Sequence, residues 1–375
     1  MTAASEIDSL LEVSARIGGE PLLVQAATGN TSIKLDGVLW IKASGKWLAH
    51  ASDDEILIPV NLEETLRRIG QNADPAGQSV TVGGKSLGTS VETAMHSVLP
   101  HRVVLHVHSV NTIAWAVRRD GCAELAARLE GIDWQWIPYV PSGLPLARAI
   151  ETAVARAPRT SVLVLANHGL VVGAEDCDAA EGLLREVERR VAIVPRRAPE
   201  AEWGVLNRIS ERSCWRVPQS AALHAMGTDG VSRAIVCGGI LYPCQAIFLT
   251  PRARTFPQPA PGRELPSEDF AGINEPFVMI EDAGVLVRQK PNPTESATLA
   301  GLAQVLQRIP ESAPLQYLRE EQVRDLLCAD VYHYRELVED NGTGRLAFQQ
   351  GGGLLGRDRE AFRCPAAPEN PVTII

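Results

Sequence analysis

Apolar and polar positions follow two rhythms along this chain, and the switches between them predict its elements. Residues 1–20, "MTAASEIDSLLEVSARIGGE", space Ile, Leu and Val at helical intervals, so an amphipathic helix is expected first. "PLLVQAATGNTSIKLDGVLWIKASG" (21–45) breaks its apolar runs at Gly-Asn and Asp-Gly, the mark of strands joined by tight turns. "NLEETLRRIGQ" (61–71) reads as a short helix, and "SVETAMHSVL" (90–99) as another with Ser90 placed to cap it. Then strand and helix alternate. Strands are expected in "RVVLHVHS", "DWQWIPY", "SVLVLANHG" and "LVVGA", and helices in "VNTIAWAVRR", "AELAARL", "PLARAIETAVARA" and "CDAAEGLLREVERRVAIV". Such mixing indicates an α/β sandwich built on one sheet.

The rhythm stops at "PRRAPEAEW" (195–203), which is rich in proline and charge and has no period. A domain boundary is placed there. It separates a first domain, 1–197, from a second α/β domain, 204–348, and 349–375 reads as a weakly ordered tail. The proline-rich "PRARTFPQPAPGRELPSEDF" (251–270) inside the second block is expected to be loop alone. The two blocks also echo each other. "VLANHGLVVGAEDCDAAEGLLREVERR" and "MIEDAGVLVRQKPNPTESATLAGLAQVLQRI" share the order apolar strand, polar pair, glycine, apolar strand, long helix. That alignment sets Asn167-His168-Gly169 against Asp282-Ala283-Gly284. Further upstream it sets "LHVHSV" against "LYPCQA", so that His106 and His108 match Tyr242 and Cys244. The second block can therefore be a degenerate duplicate, or simply another α/β segment.

Composition narrows the class. Of 375 residues, 45% are hydrophobic and 22% charged, the profile of a globular protein with real cores. A formal net charge of −9 argues against nucleic acid as a partner. Glu6 and Asp8 fall where a signal peptide needs its apolar core, and no apolar run reaches the roughly 18 residues a bilayer span requires. Neither secretion nor a membrane is expected. The seven cysteines are scattered and never in C-x-x-C spacing, which fits a reducing cytoplasm and points any metal toward histidine.

Candidate chemistry centres on "LHVHSVN" (105–111). Side chains alternate along a strand, so His106 and His108 share one face with Val107 on the other. Two buried imidazoles on one face are either core histidines with satisfied hydrogen bonds or ligands. His168 ends another strand in an Asn-His-Gly turn. Together, His106, His108 and His168 would offer three nitrogens to a zinc-like ion and leave a coordination position open, the pattern of a catalytic site. Glu92, just before the H-x-H strand, can complete the shell as a carboxylate or serve only as a helix-capping acid. Upstream, "ATGNTS", "KASGK" and "GTSVE" combine flexible glycine with hydroxyls and amides, with Lys34, Lys42, Lys46 and Lys85 nearby in sequence. Such turns can cradle an anion.

"GNTS", "KASG", "SVE", "HVH" and "NHG", in this order over residues 29–169, resemble the motif set of the class II aldolase/adducin family. The wording of residues 29–49 most resembles the aldolase half of bifunctional sugar-phosphate aldolase/dehydrogenases. The resemblance covers about residues 5–195. It implies an α/β/α sandwich around a central, mainly antiparallel sheet, with zinc or another divalent transition metal on His106, His108 and His168. It further implies Glu92 as an additional ligand or proton-transfer group, and a substrate phosphate among Gly29, Asn30, Ser44, Gly45 and Ser90. Fuculose-phosphate-type members also use a tyrosine from a neighbouring subunit to protonate the leaving aldehyde. The corresponding "RRDGCAELAARLEG" has none, and Tyr139, Tyr317, Tyr332 and Tyr334 cannot be matched to it.

The expected protein is thus a cytoplasmic zinc-dependent lyase and homo-oligomer. It would cleave or form a carbon–carbon bond in a small phosphorylated ketose or sugar acid through a metal-stabilised enediolate. The alternatives are a decarboxylase or epimerase of the same family, or a non-catalytic metal-binding or assembly module.

Overall fold

A computed structural model describes residues 2–75, 81–82, 88–250, 252–260 and 272–328. The tail at 349–375, the end of the second block from 329, Lys85, Tyr332 and Tyr334 lie outside the described residues.

The alternation read in the first block produces a seven-stranded sheet. Its strands are β1 (Asn30–Leu35), β2 (Val38–Lys42), β3 (Leu57–Asn61), β4 (Val103–Val107), β5 (Trp134–Ile137), β6 (Val162–Leu165) and β7 (Gly169–Ala174). Their order is β3-β2-β1-β4-β7-β6-β5. Every neighbouring pair is antiparallel except β5 and β6.

Period-two burial sorts the side chains into two cores. Val103, Leu105 and Val107 of β4, Val162 and Val164 of β6, and Leu170 and Val172 of β7 pack on one face. There they meet Leu10, Val13 and Ile17 of the helix Ala3–Gly18, and Ala180, Leu184 and Val187 of the helix Cys177–Val191. The intervening Val104, Leu163, Leu165 and Val171 face the other way, onto Met95 of the helix Thr93–Val98 and Leu146 and Ile150 of the helix Leu144–Arg156. The architecture is an α/β/α sandwich, as the resemblance implied. His106 alternates with Leu105 and Val107, so it belongs to the face that carries the helix Thr93–Val98.

Helix Thr93–Val98 starts later than its sequence suggests. Ser90 is not its cap: Glu92 stands at the N-cap position, and the Ser90 hydroxyl accepts from the Glu92 N–H at 3.2 Å.

A second sheet follows, built from β8 (Trp215–Arg216), β9 (Thr255–Phe256), β10 (Phe277–Ile280) and β11 (Gly284–Arg288) in the order β8-β11-β10-β9. The proline-rich stretch is therefore not all loop, because Thr255 and Phe256 pair in parallel with Met279 and Ile280. Strand for strand, this order repeats β4-β7-β6-β5, with the same directions at each pairing. The central hairpins share a register: Leu165 pairs with Gly169 and Ile280 with Gly284, each across three residues. Asn167 and Asp282 take the same left-handed backbone within those turns, φ 54° and 55°. The upstream alignment fails, however. "LYPCQA" is no strand; Pro243 opens the helix Pro243–Phe248, and β8 is the topological counterpart of β4.

The two blocks share a core. Val110, Ile113, Ala114 and Val117, on and just after the helix Val110–Ala116, cluster with Leu299, Leu302 and Leu306 of the helix Pro293–Arg308 and with Leu241, Tyr242 and Cys244.

Candidate metal centre

Two close backbone approaches shape the H-x-H strand. A Cβ on Gly29 would stand 2.7 Å from the His106 carbonyl oxygen, and Gly29 also takes φ +70°. A Cβ on Gly169 would stand 2.6 Å from the Val107 carbonyl oxygen and 3.4 Å from carbons of both histidine rings. Only glycine lets the neighbouring chain segments lie this close to His106 and His108.

Into this gap project four buried groups. One ligand atom each from Glu92, His106, His108 and His168 lies within 4.8 Å of the others. The His108 and His106 Nε2 atoms are 3.2 Å apart, and Glu92 Oε1 lies 3.1 Å from His106 Nε2 and 3.3 Å from His168 Nε2. The three rings stand nearly edge-on to one another, with centroids 5.0 Å apart. The Glu92 side chain makes no cap hydrogen bond to its helix. Its Oε2 instead accepts from Asn30 Nδ2 at 2.6 Å, and the same amide donates to Ser90 Oγ at 3.0 Å.

The protonation states suit a cation. Burial alone would raise the Glu92 carboxyl, but the His106 and His168 rings against it hold it well below the usual carboxylate range. Burial, reinforced by the neighbouring rings, pushes His108 well below its ordinary value, and burial likewise lowers His168. An ionised Glu92 therefore lies in the cluster, while burial favours the neutral ring of His108 and of His168. His106 Nδ1 lies 3.0 Å from the Leu170 carbonyl, so a proton held there leaves Nε2 as a lone-pair donor. Three imidazole nitrogens and one carboxylate form a donor set suited to a divalent transition metal such as zinc.

The other predicted positions divide. Gly29, Asn30 and Ser90 adjoin the cluster through the contacts above. Ser44 and Gly45 lie on the turn after β2, where the Ser44 N–H donates to the Gly88 carbonyl at 3.1 Å and Gly45 takes φ +73°. The lysines offer less to an anion than their spacing suggests. Lys42 is fully buried, and its Nζ donates to the carbonyls of Ala27 at 3.1 Å and Lys46 at 2.8 Å, tying two of the turns together. Lys34 Nζ is held by the Leu99 carbonyl, and burial lowers both ammonium groups to about 8. Lys46 faces Asp54 at 4.0 Å.

The remaining first-block histidines are structural. His96 Nδ1 meets Ser32 Oγ at 2.7 Å, His101 packs against Gly173, and His50 stacks on Trp47. Tyr139 packs with Ile240, Ala246 and Leu318, and Tyr317 Oη donates to the Ile235 carbonyl at 3.0 Å.

Two contributors escaped the sequence reading. Asn167 Nδ2 donates to the carbonyls of Leu241 at 2.8 Å and Gln316 at 2.7 Å, fastening the His168 turn to the second block. Cys244 Sγ lies 3.4 Å from His108 Nδ1. The alignment had paired Cys244 and His108 as counterparts, whereas the fold makes them neighbours.

Comparison with known proteins gives likenesses of three kinds. The family model "Class II Aldolase and Adducin N-terminal domain" matches residues 9–194. The curated relative "Uncharacterized oxidoreductase YuxG" of Bacillus subtilis (strain 168) is 25% identical over 220 residues, 55% of this chain and 30% of the relative. The chain thus spans less than a third of that relative's length. Among solved structures, the N-terminal class II aldolase domain of a conserved protein from Thermoplasma acidophilum is 22% identical, covering 51% of this chain and 94% of its own, with a TM-score of 0.44. L-fuculose-1-phosphate aldolase from Thermus thermophilus is 21% identical, covering 51% and 93%, with a TM-score of 0.36.

Proposed function

Residues 9–194 of this chain belong to the class II aldolase and adducin family, and on that premise we propose a zinc-dependent lyase that makes or cleaves a carbon–carbon bond in a small phosphorylated ketose or sugar acid. The observation that carries this reading is the buried convergence of Glu92, His106, His108 and His168 within 4.8 Å. When bound, a divalent ion supplies Lewis acidity for the negative charge that develops as a bond beta to a carbonyl breaks. His106, His108 and His168 would hold the ion, and Glu92 would hold it or shuttle the proton. Asn30 orients the Glu92 carboxylate, and the turns holding Gly29, Asn30, Ser44, Gly45 and Ser90 would receive the substrate's phosphate end and so position the reacting carbons.

The missing tyrosine favours a second reading within the family. Decarboxylation forms no aldehyde whose oxygen must exchange a proton as the carbon–carbon bond breaks or forms, and residues 118–131 contain no tyrosine for such an exchange. In either reading, residues 204–348 serve as a degenerate duplicate lacking the metal ligands, a reading supported by the repeated strand order and the Asp282-Ala283-Gly284 turn. We place the protein in the cytoplasm as a homo-oligomer. Among the described residues no helix is long and apolar enough to cross a membrane.

The decisive experiment is metal analysis of purified protein, then a screen of phosphorylated ketoses and tetronates for aldehyde or carbon dioxide release. His108→Ala should lose both bound metal and turnover while keeping the fold. Unchanged activity of that variant on a confirmed substrate would overturn the assignment, and metal bound without turnover on any substrate would support a non-catalytic module.

A further inference from the structure

One short segment of the second block reaches two ligand-bearing elements of the first. The carbonyl of Leu241 accepts from Asn167, the residue before His168, and Cys244, three residues on, lies against His108. The segment is itself braced. Gln245 Oε1 accepts from the Leu241 N–H at 2.8 Å, and Gln245 Nε2 donates to the Gly239 carbonyl at 3.3 Å. Both Cys244 and Gln245 are buried in the short helix Pro243–Phe248.

Consider what His108 needs if its Nε2 is to donate a lone pair. The ring's single proton must then sit on Nδ1, and a buried N–H requires an acceptor. For His106 that acceptor is the Leu170 carbonyl at 3.0 Å. For His108 it is the Cys244 sulfur at 3.4 Å, within reach of an N–H···S hydrogen bond. The thiol lies at the ring nitrogen opposite the one that faces the cluster, so it acts on the ion through the ring. Outer partners of this kind fix both tautomer and orientation of a ligating histidine.

We infer that Cys244 is a positioning residue of the metal centre, holding His108 in the Nδ1–H tautomer, so that the second sheet region completes the centre within the same chain. This rests on the metal reading proposed above. A thiol is a weaker acceptor than a carbonyl or carboxylate, so the bond orients His108 without making its ring strongly basic.

The test uses the full chain, zinc alone as probe in a competition titration against a chromophoric chelator, and ring 15N resonances of the metal-free protein. Cys244→Ala should weaken zinc binding roughly 10- to 100-fold, with the His108 resonances shifting toward the Nε2–H tautomer. Cys244→Ser, which keeps an acceptor, should bind zinc more tightly than Cys244→Ala and retain more of the Nδ1–H form. If the alanine variant does not fold, Cys244→Val fills the thiol's volume without an acceptor and carries the same expectations. Zinc affinity within threefold of wild type overturns the inference. So does weakened affinity with an unchanged tautomer, which would mark Cys244 as packing only. Wild-type protein that binds no divalent ion would instead defeat the metal reading itself, which separates the two failures.

Discussion

Asn30 Nδ2 stands 2.6 Å from Glu92 Oε2, while the other carboxylate oxygen faces His106 and His168. The amide therefore sets which edge of the carboxylate meets the histidines. Removing it with Asn30→Ala deletes a charge-assisted hydrogen bond of about 1.5–3 kcal/mol. Zinc affinity should fall about tenfold or more, read by competition titration. Affinity equal to wild type would show that Glu92 needs no such guide.

Gly169→Ala forces a methyl to 2.6 Å from the Val107 carbonyl oxygen. That oxygen belongs to backbone on the strand paired with β7, so neither partner can move away cheaply. The variant should lose about 1–3 kcal/mol of stability in urea. It should also bind zinc more weakly than an equally destabilising surface variant, because the same methyl crowds both rings.

Burial holds His96 at about 3, against an ordinary 6.5. Between those values the unfolded chain binds a proton that the folded chain refuses. Its contribution is therefore complete above pH 6.5 and is lost as pH falls toward 3, by about 1.4 kcal/mol per pH unit for this one group. Urea midpoints of metal-free protein from pH 7 to pH 5 should show the decline, and His96→Gln should flatten it by one proton's worth. A slope identical to wild type would mean that His96 takes up its proton in the folded state.

Asn167 combines a left-handed backbone, φ 54°, with two hydrogen bonds to carbonyls of the second block, of which that to Leu241 is buried. Asn167→Gly keeps the backbone and loses the bonds, costing about 1–3 kcal/mol. Asn167→Ala adds roughly 1–2 kcal/mol of left-handed strain. At the matching turn Asp282 is exposed, so Asp282→Gly should cost far less. Equal urea midpoints for all three variants would contradict this division.

How much of this was legible follows from where each signal lives. His106 and His108 were readable because strand alternation puts i and i+2 on one face, and β4 obeys it by packing Val103, Leu105 and Val107 into one core and Val104 into the other. The sandwich was readable from apolar runs long enough to carry a period. β8 and β9 were not, because two residues have no period, and β9 is made by pairing with a distant strand. Lys34 and Lys42 looked available in sequence, but Lys34 is held by Leu99, 65 residues on, and Lys42 is buried by the fold between the carbonyls of Ala27 and Lys46. Cys244 lies 136 residues from His108, and no local pattern announces such a contact. Asn167 shows both limits at once. Its turn was plain from Asn-His-Gly, whereas its grip on Leu241 and Gln316 depends on where the second sheet docks.

That grip makes the Asn167–His168 peptide a latch. Its first side chain is hooked to one half of the molecule, and its second faces the cluster in the other half. Parting the halves would pull on a ligand through a single peptide bond, and loss of the ion would loosen the residue next to the hook. The lifetime of a bound ion and the opening rate of the chain would then be two readings of one barrier.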